Sequence, residues 1–189
     1  MSARSFLRGA FPVVVVITPL LLAAAYIWLT GGSLDVRAFR LPSASMMNTL
    51  LPGDMFFVDL WDRSVHRAAV VVITCGGSGD LWCVSRVIGM PGDTVAVRGH
   101  FAYVNGKPLR EPYARIMPNS ETDSVANRRA VVVAPDHVWV LGDNRAESYD
   151  SRFWGALPIS EVHGRPVAIY WSWDGEAGVR WQRMGRRIR

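Results

Sequence analysis

Phe11 to Thr30 is a twenty-residue run without a charged side chain, and no other stretch constrains the chain as strongly. A helix rises ~1.5 Å per residue, so such a run spans about 30 Å, the thickness of a bilayer core. Pro12 and Pro19 are tolerated in such a span. The short positive stretch before it, with Arg4 and Arg8, also fits a cleavable secretory signal. Against cleavage, Tyr26-Ile27-Trp28-Leu29 carries the apolar run past the small residues Ala23-Ala24-Ala25, making it longer than an ordinary signal core. The expectation is an uncleaved single-pass anchor within residues 1–36, with Tyr26 and Trp28 near the interface. Arg4 and Arg8 favour a cytoplasmic N-terminus, although Arg37 and Arg40 beyond the run weaken that argument. Residues 37–189 then form one extracytoplasmic domain, and about 150 residues suffice for a core.

Past the anchor the pattern is mainly β. Apolar runs at Met55–Leu60, Ala68–Thr74 and Leu81–Ile88 are separated by turn-forming residues. Met90-Pro91-Gly92-Asp93 leads into a strand over Thr94–Arg98. Asn105-Gly106, between Phe101–Val104 and Lys107–Leu109, is a strong hairpin signal. Ala130–Ala134, His137–Leu141 and Val167–Trp173 complete the strands, and the polar stretch 112–128 reads as a long loop. Many short strands with Gly and Pro turns predict a barrel-like or sandwich fold.

Cys75 and Cys83 flank Gly76-Gly77-Ser78-Gly79-Asp80. One cysteine on each strand of a hairpin predicts a disulfide in an oxidising compartment; two unpaired buried thiols are the alternative. Two cysteines without nearby histidines make a poor zinc site, and no metal or cofactor is expected. The net charge of +5 is carried almost wholly by arginine, Lys107 being the single lysine. No basic helix or aromatic-basic motif points to nucleic acid. Arg180, Arg183, Arg186, Arg187 and Arg189 crowd the C-terminal stretch. This tail reads either as a partner of lipid headgroups or as a solvated end.

Pro42-Ser43-Ala44-Ser45-Met46-Met47 follows the apolar run. In an extended segment Ser43 and Ser45 point the same way. One hydroxyl could attack a carbonyl while the other donates to the developing oxyanion. The plain alternative is a turn whose hydroxyls bond the local backbone.

Three further segments give that pair a context. They are Gly53-Asp54-Met55-Phe56-Phe57-Val58, Ser85-Arg86-Val87-Ile88-Gly89-Met90-Pro91-Gly92-Asp93, and Gly142-Asp143-Asn144-Arg145 with Ser148, Asp150-Ser151-Arg152 and Trp154-Gly155. With the serine segment they resemble, in order, the four boxes of the type I signal peptidases, peptidase family S26. Val162–Trp173 resembles the segment that follows. The resemblance implies a membrane-bound serine endopeptidase that cuts signal peptides from exported preproteins after small residues at −1 and −3. It implies a bacterial plasma membrane location, with the domain outside the cytoplasm. Ser45 stands at the nucleophile, and Ser43 at the oxyanion-stabilising hydroxyl beside the backbone N–H of Ser45. Arg86, Asp143, Ser148, Asp150 and Arg152 stand in supporting positions, with Asp143 able to pair with Arg86 and Asp150 with Arg152. An extended substrate would add to a strand edge near Ser45. Met46, Met47, Phe56 and Phe57 would lie there, at the membrane or in the core, and Trp171 or Trp173 would reach the lipid.

One residue departs from the pattern. Bacterial members carry a general-base lysine immediately before the arginine of the third box, and here that position is Ser85. Neither a serine nor a guanidinium takes a proton at neutral pH. Loss of a general base costs ~10²–10⁴ in rate. Lys107 sits at a hairpin tip, and His66, His100, His137 and His163 read as surface residues off the boxes. A water between Ser85 and Ser148 would occupy the lysine's space. The alternatives are an impaired relative that binds export precursors or partners, and a peptidase for a narrow, pilin-like substrate.

Overall fold

The computed structural model describes residues 35–77, 81–116 and 128–189. The expected anchor therefore lies outside the described residues, as do most of the loop at 112–128 and the tip of the cysteine hairpin. Among the described residues no helix is long and apolar enough to cross a membrane.

Val36–Arg189 forms one compact unit, and its strands are antiparallel throughout. The larger sheet contains β1 (Val36–Arg40), β2 (Asp54–Asp59), β3 (Val70–Thr74), β4 (Trp82–Gly89), β9 (His137–Leu141), β10 (Leu157–Pro158) and β11 (Val162–Asp174). Their spatial order is β1-β2-β11-β3-β4-β9-β10, with β12 (Gly178–Val179) added to β11. A second sheet, in the order β7-β6-β5-β8, holds β5 (Thr94–Arg98), β6 (Phe101–Val104), β7 (Lys107–Pro108) and β8 (Arg128–Val132). The one-turn helix α1 is Ser151–Trp154.

The valine run of β3 is buried at every position, as expected for a strand covered on both faces. Its alternation divides two cores. Val70 and Val72 join Met46, Leu50, Phe56 and Val84 on one face. Val71 and Ile73 join Val87, Val138, Val140 and Leu157 on the other. A third cluster, including Ile88, Val95, Val97 and Trp139, fastens the small sheet to the large one. Asn105 and Gly106 both have positive φ, as the hairpin signal requires.

Three sequence expectations are corrected. The last strand is 13 residues long, beginning at Val162, and its register shifts let it pair with β3 and then β2. β8 begins at Arg128, two residues before the expected start, and is exposed along its length as an edge strand. The C-terminal stretch is not a free solvated tail. Ile188 is buried, Ala168 pairs with Arg187, and Arg183 is bound to the carboxylate of Asp54.

Candidate active site

Ser43 and Ser45 lie in a bend and turn between β1 and β2, rather than in the extended segment the sequence argument used. Their hydroxyls nonetheless meet at 3.0 Å. The turn is held by Met47 N–H on Ala44 O, and by Thr49 and Leu50 N–H on Met46 O. Met46 is fully buried and pins it to the core. Of the four apolar residues near the pair, Met46 and Phe56 are core, while Phe57 is 41% exposed.

Both serines open onto a cleft of about 180 Å³. Phe39, Phe56, Val72, Trp82 and Val84 supply its apolar walls, and Cys75 and Cys83 line the same cleft. The two cysteines are disulfide-bonded, as the hairpin reading predicts. Trp82 stacks on Phe39 at 5.5 Å between ring centres and on His163 at 4.3 Å.

The final motif straps this turn down. Asn144 N–H donates to Ser45 O at 2.9 Å, and Asn144 Nδ2 donates to Ala44 O at 3.1 Å. A Cβ on Gly142 would sit 2.2 Å from Ser148 Oγ and 2.6 Å from Ser45 O. Only glycine lets Ser148 and the Ser45 backbone share that space. Asn144 and Gly142 are positioning residues that the sequence reading left among turn residues. The signal was present in their adjacency to Asp143.

Arg86 pairs with Asp143, and Arg152 with Asp150. Arg86 donates through Nε and Nη2 to Asp143 at 2.8 and 2.7 Å, to Ala68 O at 2.7 Å and to Thr49 Oγ1 at 3.1 Å. Its guanidinium lies 3.9 Å above the Tyr113 ring. Burial, then the neighbouring charge of Glu111, pushes the Tyr113 phenol above its ordinary pKa, so it stays protonated. Asp150 receives Arg152 at both oxygens, caps α1, and accepts from Gly142 N–H at 3.0 Å. Arg152 also donates to the carbonyls of Arg145 and Ser148, which fixes the loop over the site. Buried charges need this many partners, because each unpaired one costs several kcal/mol.

Ser85 lies in mid-β4, 5% exposed, between the cleft-lining Val84 and the anchored Arg86. The hydrogen bond of Ser45 Oγ among the described residues is to Ser43, and none joins it to a nitrogen base. Lys107 is exposed on β7. The surface reading of the histidines fails at two positions. His100 is 5% exposed, and His163 is half-buried between Trp82 and a 2.8 Å contact with Thr74 Oγ1. Burial lowers the His163 pKa, so the ring is neutral near pH 7. Among the described residues no three His, Cys, Asp or Glu are grouped to hold a metal ion.

The described chain is thus a mainly β unit with a serine pair at the head of an apolar cleft. The family model for signal peptidase, peptidase S26, matches residues 12–171, and the chain belongs to this family. The signal peptidase I of Leptolyngbya laminosa is 42% identical over 154 residues, covering 74% of this chain and 73% of that protein. The signal peptidase I of Bacillus caldolyticus is 33% identical over 140 residues, covering 67% and 75%. A crystal structure of a signal peptidase I from Enterococcus faecalis V583 aligns at 26% identity with a TM-score of 0.47, covering 55% of this chain and 97% of that chain.

Proposed function

We propose that this chain is a serine endopeptidase that removes signal peptides from exported preproteins after small residues at −1 and −3, and that it does so slowly. Residues 1–36 anchor it in a bacterial plasma membrane with the N-terminus cytoplasmic, and residues 37–189 work outside. Ser45 Oγ attacks the scissile carbonyl, while Ser43 Oγ and the Ser45 N–H stabilise the oxyanion. The observation that carries this reading is the Ser43–Ser45 contact at 3.0 Å, at the head of an apolar cleft. The low rate follows from Ser85, because Ser45 must give its proton to water rather than to a positioned base.

One observation favours a second reading, precursor binding without turnover. Among the described residues no nitrogen base bonds Ser45 Oγ. Cleavage of a preprotein by the unmodified chain, by Ser45→Ala and by Ser85→Lys separates the two. The peptidase reading expects slow cleavage abolished in Ser45→Ala and raised ~10²-fold or more in Ser85→Lys. Tight precursor binding with no cleavage by the unmodified chain selects the second reading.

A further inference from the structure

The turn that carries Ser45 lies between two concavities. One is the apolar cleft. The other is a groove of about 690 Å³ lined by residues that include Asn48, Thr49, Tyr113, Arg186, Arg187 and Arg189. Among the described residues the two have no lining residue in common. The turn bonds Met47 N–H to Ala44 O and Thr49 N–H to Met46 O keep Asn48 close to Ser45.

The three arginines are presented by the fold. Ile169 N–H donates to Arg186 O, Ile188 N–H donates to Val167 O, and the buried Ile188 locks the segment against β11. The backbone is fixed while the side chains of Arg186, Arg187 and Arg189 are exposed. Just upstream, Arg180 pairs with Asp174 and Arg183 with Asp54. The three groove arginines form no ion pair with a described residue, and none of the described residues lining the groove is acidic. Arg115, whose Nη1 contacts Met47 Sδ, adds a further cation beside the turn. Guanidinium forks match carboxylates in shape as well as charge.

We propose that this groove receives the mature side of the substrate and selects for Asp or Glu in the first residues after the cleavage point. The inference rests on the peptidase reading and adds to it that the apolar signal side takes the apolar cleft. An extended chain advances ~3.3 Å per residue, so a groove that starts at Asn48, in the same turn as Ser45, is met within the first few residues past the cut.

The test uses the full chain in neutral detergent and fluorescent peptides that share one signal side. The peptides carry Glu, Gln or Lys at the second to fourth positions after the cut, and anisotropy gives binding whether or not turnover occurs. The Glu peptide is expected to bind about tenfold more tightly than the Lys peptide. That ratio should fall to near one in Arg186→Gln/Arg187→Gln/Arg189→Gln, with Gln-peptide affinity and melting temperature unchanged. Equal binding of Glu and Lys peptides, or an acid preference that survives in the triple variant, overturns the proposal. Co-sedimentation with neutral and anionic phospholipid vesicles is the second arm. If the triple variant loses vesicle binding and keeps its acid preference, the arginines serve the membrane and the proposal fails. If no peptide of any charge binds, the peptidase reading falls with it. If all bind equally, only the groove assignment falls.

Discussion

Replacing Asp143 with alanine is expected to be the most costly single change at the site. Asp143 is fully buried and accepts both arms of Arg86, a residue 2% exposed. The guanidinium cannot shed its proton, so Asp143→Ala leaves a cation in the core. Breaking a buried pair in this way costs ~3–5 kcal/mol. Arg86 keeps Ala68 O, Thr49 Oγ1 and the Tyr113 ring face, which places the expected loss at the lower end, ~3 kcal/mol. A domain of this kind has ~5–15 kcal/mol to lose, so the variant folds. With a urea slope of ~2 kcal/mol per molar, its midpoint should fall by about 1.5 M. The double variant Arg86→Met/Asp143→Ala removes the stranded charge and should be more stable than Asp143→Ala alone. Equilibrium urea unfolding of the four proteins gives the cycle, with a coupling of at least ~1 kcal/mol expected. A loss below ~1 kcal/mol for Asp143→Ala, or additive effects, would show that water reaches the pair and that the site is not braced through it.

Gly142→Ala should destabilise the chain and weaken precursor binding together, because the new Cβ meets Ser45 O at 2.6 Å; an active variant of normal melting temperature would contradict the close approach. Opening the Cys75–Cys83 loop, whose ends are 8 residues apart, should cost ~2.5 kcal/mol on chain-entropy grounds. Unfolding of Cys75→Ser/Cys83→Ser checks this, and peptide binding should fall too because both residues line the cleft. Burial raises the Asp54 pKa, but bonds from Arg183, Leu51 N–H and Ser172 outweigh it and hold the carboxyl below 3.8. A depressed carboxyl stabilises above its unfolded value and loses that contribution as pH falls through the folded one. Unfolding free energy should therefore drop below about pH 4, and more shallowly in Asp54→Asn, which starts less stable at neutral pH. His163 has the opposite chemistry and the same sign. Its pKa is lowered by burial, so the unfolded chain takes up the proton first and stability declines as pH falls from about 6.5. His163→Gln should flatten that limb, and an unchanged slope between about pH 7 and 5 would exclude the ring as its source.

The parts of this fold legible in the sequence depend on near neighbours. The valine run of β3, the Asn105-Gly106 turn and the cysteine hairpin are set by local alternation, left-handed backbone and chain closure. The candidate site residues were legible only through their family spacing, since nothing local shows that Asn144 reaches Ala44 across 100 positions. The C-terminal arginines misled for the same reason. Arg183 reads as solvated until Asp54, 129 positions away, is seen buried and in need of a cation. His163 reads as a surface residue until Trp82 is found stacked against it from another strand. Each of these contacts ties the chain's late segments to the turn or to the cleft wall. The bracing is present in Arg86–Asp143, in Asp150–Arg152 and in the Asn144 strap, and all of it bears on the placement of Ser45. Bracing of that extent is expected where a side chain must be held still for chemistry or for binding. On the proposed reading Ser85 stands at the base's position, so cleavage by the unmodified chain, set beside that of Ser85→Lys, separates the two proposed uses of one scaffold.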